Sequence, residues 1–368
     1  MNSILHILPD DKFAGFVNQE FSNIANTIID YLCIDQKNDF KYINFPCKYI
    51  WDGKDNTLMQ IVKEVNKYKI VVIHFLSVEA QKLLEKINKN VIVIWIGWGG
   101  DYYWLIDTLS DFKMYKRLTA EFLNSNQSFF SKRLKYFLRY KKLNPINRIN
   151  YFSPVLEVEY SKIKKNYPNF KPQLISWNYG NVQDNYIKGL AGFKMSGNSL
   201  IIGNSATATN NHLDIFHILK LHNLSDNFDK IYLPLSYGNL DYKDNIAKKA
   251  TEMFENITIM HDFIPYESYL EVLKTCSNVI MGHIRQQGMG NIIALLYLGA
   301  KIFFFKESII YNDLIKKGYR VFTMEDLQDK LLIQNQLDSE TVFKHRHLLN
   351  NEWGKEINKK NTIDICSL

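Results

Sequence analysis

"NVIMGHIRQQGMGNIIALLYLGAKIFFF", Asn278–Phe305, decides how this chain is read. Its first seven residues, Asn278–Ile284, have strand length and composition. Asn291–Leu298 is apolar nearly all round and reads as a buried helix, and Lys301–Phe305 reads as the next strand. Strand, buried helix and strand make a βαβ unit, which implies a parallel sheet. Residues 285–290 form the strand-to-helix turn. Glycines there let the backbone approach a ligand, and the helix N-terminus offers unpaired N–H groups and positive partial charge. A diphosphate fits such a turn. Arg285 can add a bidentate charged contact, Gln286 and Gln287 can hold sugar hydroxyls, and Gly288, Gly290 and Asn291 lie at the helix mouth. The plainer alternative is that the two glycines only permit a tight turn. A dinucleotide dehydrogenase is poorly matched, because the turn is not G-x-G-x-x-G with an acidic residue about 20 positions on.

The same pattern recurs upstream. Ser199–Ile202 reads as a strand, "GNSATATNN" as a loop containing Gly203, Asn204 and Ser205, and His212–Leu221 as a helix. Ordinary N-capping by Thr209 or Asn210 is the competing account of that loop. Lys230–Pro234 is a strand leading into "LSYGN", which sets Tyr237 just past a strand end as a donor contact or a surface tyrosine. Helices over Tyr242–Phe254 and Tyr266–Thr275 and a strand over Ile257–His261 complete the series. In the first half, Ser3–Leu8 is a strand ending at Pro9-Asp10-Asp11. Lys69–Phe75 and Asn90–Ile96 are strands around a helical Val78–Ile87, and "GWGGDYYW" (Gly97–Trp104) follows the second of them. The predicted fold is α/β, with two Rossmann-like doubly wound domains facing a cleft. Residues 1–180 form the first domain, with a basic segment near 113–148. Residues 181–335 form the second, and 336–368 a helical tail that can return to the first.

The 368 residues carry a net charge of +7, which favours an anionic partner. The basic residues concentrate between Ser128 and Arg148, where no acidic residue occurs. Phe129, Phe130, Lys132, Arg133, Lys135 and Arg139 belong to this stretch and give it the basic and apolar faces of a segment that lies on an anionic membrane. A solvated basic helix is the alternative. A nucleic-acid role is weakened by the absence of RNP, KH or zinc patterns. The four cysteines are far apart with no CxxC pair, so neither a zinc site nor a disulfide framework is expected. The N-terminus lacks a signal-peptide pattern, and no apolar run is long enough to span a membrane. The expected setting is reducing and cytoplasmic.

From "HDFIPYESYLEVL" through "IRQQGMG" to "KIFFF", the C-terminal half resembles the donor-binding domain of GT-B glycosyltransferases. The ribose-holding glutamate that many of those enzymes carry in the buried helix is absent from Asn291–Leu298. Adding "IIGNSATATNNH", "LPLSYGN", "WIGWGGDYYW" and the initial "ILHIL", the chain is similar to the bacterial TDP-N-acetylfucosamine:lipid II N-acetylfucosaminyltransferases, the 4-alpha-L-fucosyltransferase family. The stretch from about Lys113 to Phe170 matches poorly. The resemblance implies transfer of a 4-acetamido-4,6-dideoxygalactose-type sugar from TDP to a polyprenyl-diphosphate-linked saccharide, at the cytoplasmic face of the inner membrane, in synthesis like that of enterobacterial common antigen. It implies no cofactor and no metal. A GT-B enzyme of capsule or lipopolysaccharide synthesis using another nucleotide sugar is the alternative.

Sugar transfer needs a base for the acceptor hydroxyl. Asp10, Asp11, His74 and Asp101 end N-domain strands on this reading. Asp101 is preferred and His74 second, with Trp98, Gly99, Gly100 and Tyr103 around the acceptor. A packed core histidine and a loop-capping aspartate are the plainer alternatives.

Overall fold

The computed structural model describes all residues except 1, 36–38, 108–112, 124–142, 191–192, 194 and 263. The six residues assigned to a membrane face, Phe129, Phe130, Lys132, Arg133, Lys135 and Arg139, lie outside the described residues. The chain divides into two compact units. One is drawn from Met1–Phe112, Ser128–Gly180 and Lys355–Leu368, the other from Lys113–Gln127 and Asn181–Gly354.

The first unit holds a parallel sheet of seven strands: β1 (Asn2–Pro9), β2 (Thr27–Ile34), β3 (Tyr49–Trp51), β4 (Ile70–His74), β5 (Ile92–Ile96), β6 (Tyr151–Ser153) and β7 (Gln173–Leu174). Their order is β3-β2-β1-β4-β5-β6-β7. All five residues of β4 are buried, which is why it is written in β-branched residues without alternation. Helices Ala14–Phe21 and Lys355–Cys366 cover part of this sheet. The second is held by Trp177 Nε1–H donating to Thr362 Oγ1 at 2.9 Å and Asn358 Nδ2 donating to the Asn178 carbonyl at 3.0 Å.

The second unit holds six parallel strands: β8 (Leu200–Ile202), β9 (Ile231–Pro234), β10 (Ile257–Met260), β11 (Asn278–Met281), β12 (Lys301–Phe304) and β13 (Phe322–Thr323). Their order is β10-β9-β8-β11-β12-β13. The helix Met289–Leu298 joins β11 to β12, and seven of its ten residues are buried. Lys301, at the start of β12, is buried. Its ammonium donates to the carbonyls of Leu332, Ile333 and Asn335 at 2.8, 2.7 and 2.6 Å.

Two differences from the sequence reading have physical causes. Residues 113–123 were placed with the first domain, yet they pack in the second unit, because the helix Arg117–Phe122 is bound to Asp214. Strands β2, β3, β6, β7 and β13 were not anticipated. Four of them are two or three residues long, too short for periodicity to register, and β2 is buried at only three of its eight positions.

Candidate functional site

In an open parallel sheet, ligands bind beyond the carboxyl ends of the strands where the strand order reverses. In the second unit that switch lies between β8 and β11, which pair directly with Ile280 opposite Ile202. The loops leaving these two strands are the two glycine-containing stretches singled out in the sequence.

They are bonded to each other. Thr209 Oγ1 donates to Gln287 Oε1 at 2.6 Å, and Gln287 Nε2 donates to Thr207 Oγ1 at 3.1 Å and Asn204 Oδ1 at 3.3 Å. Arg285 Nη2 donates to Gln287 Oε1 at 2.9 Å, and Asn204 Nδ2 donates to Tyr237 Oη at 3.1 Å. With Ser205 Oγ donating to Asn204 Oδ1 at 3.4 Å, Asn204, Ser205, Tyr237, Arg285 and Gln287 form one polar cluster. Gly203 and Gly288 both have φ of +68°, a backbone state that favours glycine. At Gly288 a Cβ would stand 2.9 Å from Asn204 Nδ2, so the Asn204 side chain lies against the Gly288 backbone.

Gly288 is the N-cap of the helix Met289–Leu298, so among the described residues no N-cap side chain takes up the first N–H groups of that helix. Gln286 is buried, and Gly290 packs against Tyr186 rather than within the cluster. Asn291 stands half-buried in the helix's first turn.

The sequence reading missed the residue that organises the loop. Asn210 Nδ2 donates to the Ser205 carbonyl at 3.0 Å and to Thr207 Oγ1 at 2.9 Å. Its Oδ1 accepts the Asn204 N–H at 3.1 Å and is 2.8 Å from His283 Nε2. It does not cap the helix His212–Leu221, and neither does Thr209. The N-cap position is Asn211, in the left-handed conformation. The signal for Asn210 lay only in the run of small polar residues. His212 and His283 are buried here, and burial holds both imidazoles down to about 3.

In the first unit the order reverses between β1 and β4. The ring centroid of Trp98 lies 5.1 Å from that of Phe13, 5.2 Å from that of Phe75 and 5.7 Å from that of Tyr179. Phe75 has φ of +67°, a strained state for an aromatic residue and one that clusters at functional sites. Gly99 has φ of +99°, and Gly100 is exposed. Tyr103 is buried with its ring stacked on Tyr102, so it offers no open face for a sugar, contrary to expectation.

The two preferred bases also read differently in three dimensions. Asp101 is buried. Its Oδ2 accepts the Leu76 N–H at 3.0 Å and Trp95 Nε1–H at 2.7 Å, and its Oδ1 accepts the Trp98 N–H at 2.9 Å. Burial pushes its carboxyl up while these donors pull it down. Both oxygens are spent on tying the ends of β4 and β5 together. His74 is buried between His6 and Tyr179, at 2.9 and 2.6 Å, and burial holds it well below the ordinary imidazole range. Both side chains are closed off by burial and by these partners. Asp10 accepts the N–H groups of Lys41, Tyr42 and Ile43. Asp11 is half-buried at the end of β1, where its Oδ1 accepts the Phe13 N–H at 3.2 Å.

Two parallel doubly wound units, one carrying a polar cluster at its switch point, are the architecture of the GT-B glycosyltransferases. Solved structures similar to the chain in fold include glycosyltransferases. A sucrose-phosphate synthase from Thermosynechococcus elongatus matches with a TM-score of 0.61 and 10% identity, covering 99% of this chain and 98% of that one. A glycosyltransferase from Rickettsia africae matches with a TM-score of 0.61 and 11% identity, covering 100% and 98%. An alpha-glucosyltransferase in complex with UDP-glucose and DNA matches with a TM-score of 0.55 and 13% identity, covering 100% and 99%. Residues 120–353 match 4-alpha-L-fucosyltransferase glycosyl transferase group 56, and the chain belongs to that family.

Proposed function

We propose that this glycosyltransferase moves an N-acetylated 4-amino-sugar of the 4-acetamido-4,6-dideoxygalactose type from TDP to a polyprenyl-diphosphate-linked saccharide, in surface polysaccharide synthesis like that of enterobacterial common antigen. The observation that carries the donor half is the cluster at the switch point of the second unit, beside the open N–H groups of Met289–Leu298. Arg285 and those N–H groups meet the diphosphate, and Asn204, Gln287 and Tyr237 meet the sugar or nucleoside. An alpha-glucosyltransferase of the same fold binds UDP-glucose, which supports a nucleotide-sugar donor.

The chemistry then balances with the chain's own groups. The acceptor hydroxyl oxygen bonds to the anomeric carbon as that carbon's bond to the diphosphate breaks. The hydroxyl proton passes to a carboxylate, and Asp11 is the strand-end carboxylate we assign to that role. The leaving diphosphate is neutralised by Arg285 and the helix end, the place a metal takes in other transferases. Phe13, Phe75 and Trp98 supply an aromatic platform for the acceptor.

The basic, phenylalanine-rich segment supports residence on the anionic cytoplasmic leaflet of the inner membrane. Among the described residues no helix is long and apolar enough to cross a membrane. Flotation with anionic vesicles tests this: wild type floats, and the Lys132, Arg133, Lys135, Arg139 quadruple alanine variant stays behind. Equal flotation rejects the segment as the membrane face.

The transfer itself is tested by offering the purified chain a polyprenyl-diphosphate saccharide with TDP- and UDP-linked sugars, with and without EDTA. TDP-amino-sugar consumption, insensitive to EDTA and lost in Asp11→Asn, is expected. Turnover of another nucleotide sugar only would favour a capsule or lipopolysaccharide enzyme instead.

A further inference from the structure

The segment Met114–Phe122 precedes the basic stretch in sequence, yet within the second unit it is bonded to the start of the helix His212–Leu221, directly behind the candidate donor loop. The Lys116 N–H donates to Asn211 Oδ1 at 2.8 Å. Asp214 Oδ1 accepts the Leu118 N–H at 2.9 Å, and its Oδ2 accepts the Thr119 N–H at 3.0 Å and Thr119 Oγ1–H at 2.7 Å. Thr119 and Asn211 are fully buried, and Asp214 is nearly so. Buried bonds to a carboxylate are the strong kind.

Asn211 is the link to the site. Its Nδ2 donates to the Gly282 carbonyl at 2.8 Å and lies 3.3 Å from the Thr209 carbonyl. One side chain thus holds the arm, the end of the β8 loop and the residue just after β11. A Cβ at Gly282 would lie 2.1 Å from the Asn210 carbonyl oxygen, so the two loops meet here without spare room. A second route runs through rings. Phe122 lies edge-on to Tyr242 at 6.1 Å, Tyr242 Oη is 3.1 Å from His212 Nδ1, and a Cβ at Gly203 would stand 3.1 Å from His212 Nε2.

We propose that residues 114–122 are a latch that positions both donor loops, so that nucleotide binding and latch closure strengthen each other. This rests on the donor-site reading above. Asn211, Asp214 and Thr119 act through Asn210 and Gly282 and touch no substrate, so they are positioning residues. By linkage the coupling is reciprocal.

Hydrogen exchange of the Lys116, Leu118 and Thr119 amides reads the latch directly, since side chains of the helix start accept all three. Saturating TDP should slow their exchange in the wild-type chain. Asp214→Asn should speed it and weaken TDP binding by at least about fivefold, the lower end of typical couplings. Thr119→Val removes only the hydroxyl bond. It carries the same test with a smaller effect if Asp214→Asn does not fold. TDP binding that requires Arg285 but leaves 114–122 exchange unchanged overturns the latch and leaves the donor site standing. So does a Thr119→Val variant that melts earlier yet binds TDP as the wild type does. TDP binding indifferent to Arg285→Ala overturns the donor-site reading and the latch together.

Discussion

Asp101→Asn separates a structural carboxylate from a catalytic one. The native side chain satisfies three donors with two oxygens: the buried Leu76 N–H and Trp95 Nε1–H and the part-buried Trp98 N–H. Asparagine has one oxygen, so it can keep the two donors at Oδ2 and must turn its own N–H₂ toward the third. A lost hydrogen bond to a charged group costs about 1.5–3 kcal/mol, and a buried donor left without a partner costs about 1–3 kcal/mol. The expected loss is therefore about 3 kcal/mol. For a unit of this size that lowers the melting temperature by roughly 6–12 °C. Tryptophan fluorescence follows the right part of the chain, since Trp51, Trp95, Trp98, Trp104 and Trp177 belong to the first unit and only Trp353 to the second. Urea unfolding read by fluorescence, beside turnover at a temperature where the variant is folded, completes the assay. The variant should be destabilised and should keep most of its turnover. Wild-type stability with turnover lost by about a hundredfold or more would refute the structural assignment and restore Asp101 as the base.

Three further outcomes follow from the same structure. His6, His212 and His283 are buried and held neutral down to about 3, below the value near 6.5 of an unfolded chain. Their contribution is complete above pH 6.5 and is lost as pH falls, by about 1.4 kcal/mol each at pH 5.5; equal urea midpoints at pH 7.5 and 5.5 would contradict this. Lys301→Met strips the donor from three carbonyls and should cost about 3 kcal/mol in guanidinium unfolding, against less than about 1 if those carbonyls find water. Gly288→Ala forces a Cβ into the left-handed region, against Asn204, and should cost about 1–2 kcal/mol of stability along with TDP affinity, whereas unchanged affinity would show that the loops can part.

The parallel fold was legible wherever a strand was buried on both faces, because such strands are continuous apolar runs: Ile70–His74, Ile92–Ile96 and Asn278–Met281 were all read close to their observed bounds. The bonding of the β8 and β11 loops into one polar cluster was partly legible, because two glycine turns at strand ends mark it locally. What depends on distant partners was not. The role of Asp101 is set by Leu76, 25 residues away, and Tyr103 is buried by the fold around it. Asn211 carries no local mark of its left-handed backbone or of its bond to Lys116, 95 residues earlier. Lys113–Phe122 joins the second unit through that bond and those to Asp214, which no periodicity encodes.

On the proposed reading, the second unit binds a nucleoside diphosphate at its switch point through Arg285 and the helix that follows Gly288. Titration calorimetry of TDP, UDP and GDP into the wild-type chain and into Arg285→Ala tests it most directly. Binding should favour TDP and weaken by at least about tenfold in the variant, the equivalent of one charged hydrogen bond. Equal TDP affinity in a folded Arg285→Ala chain would contradict it.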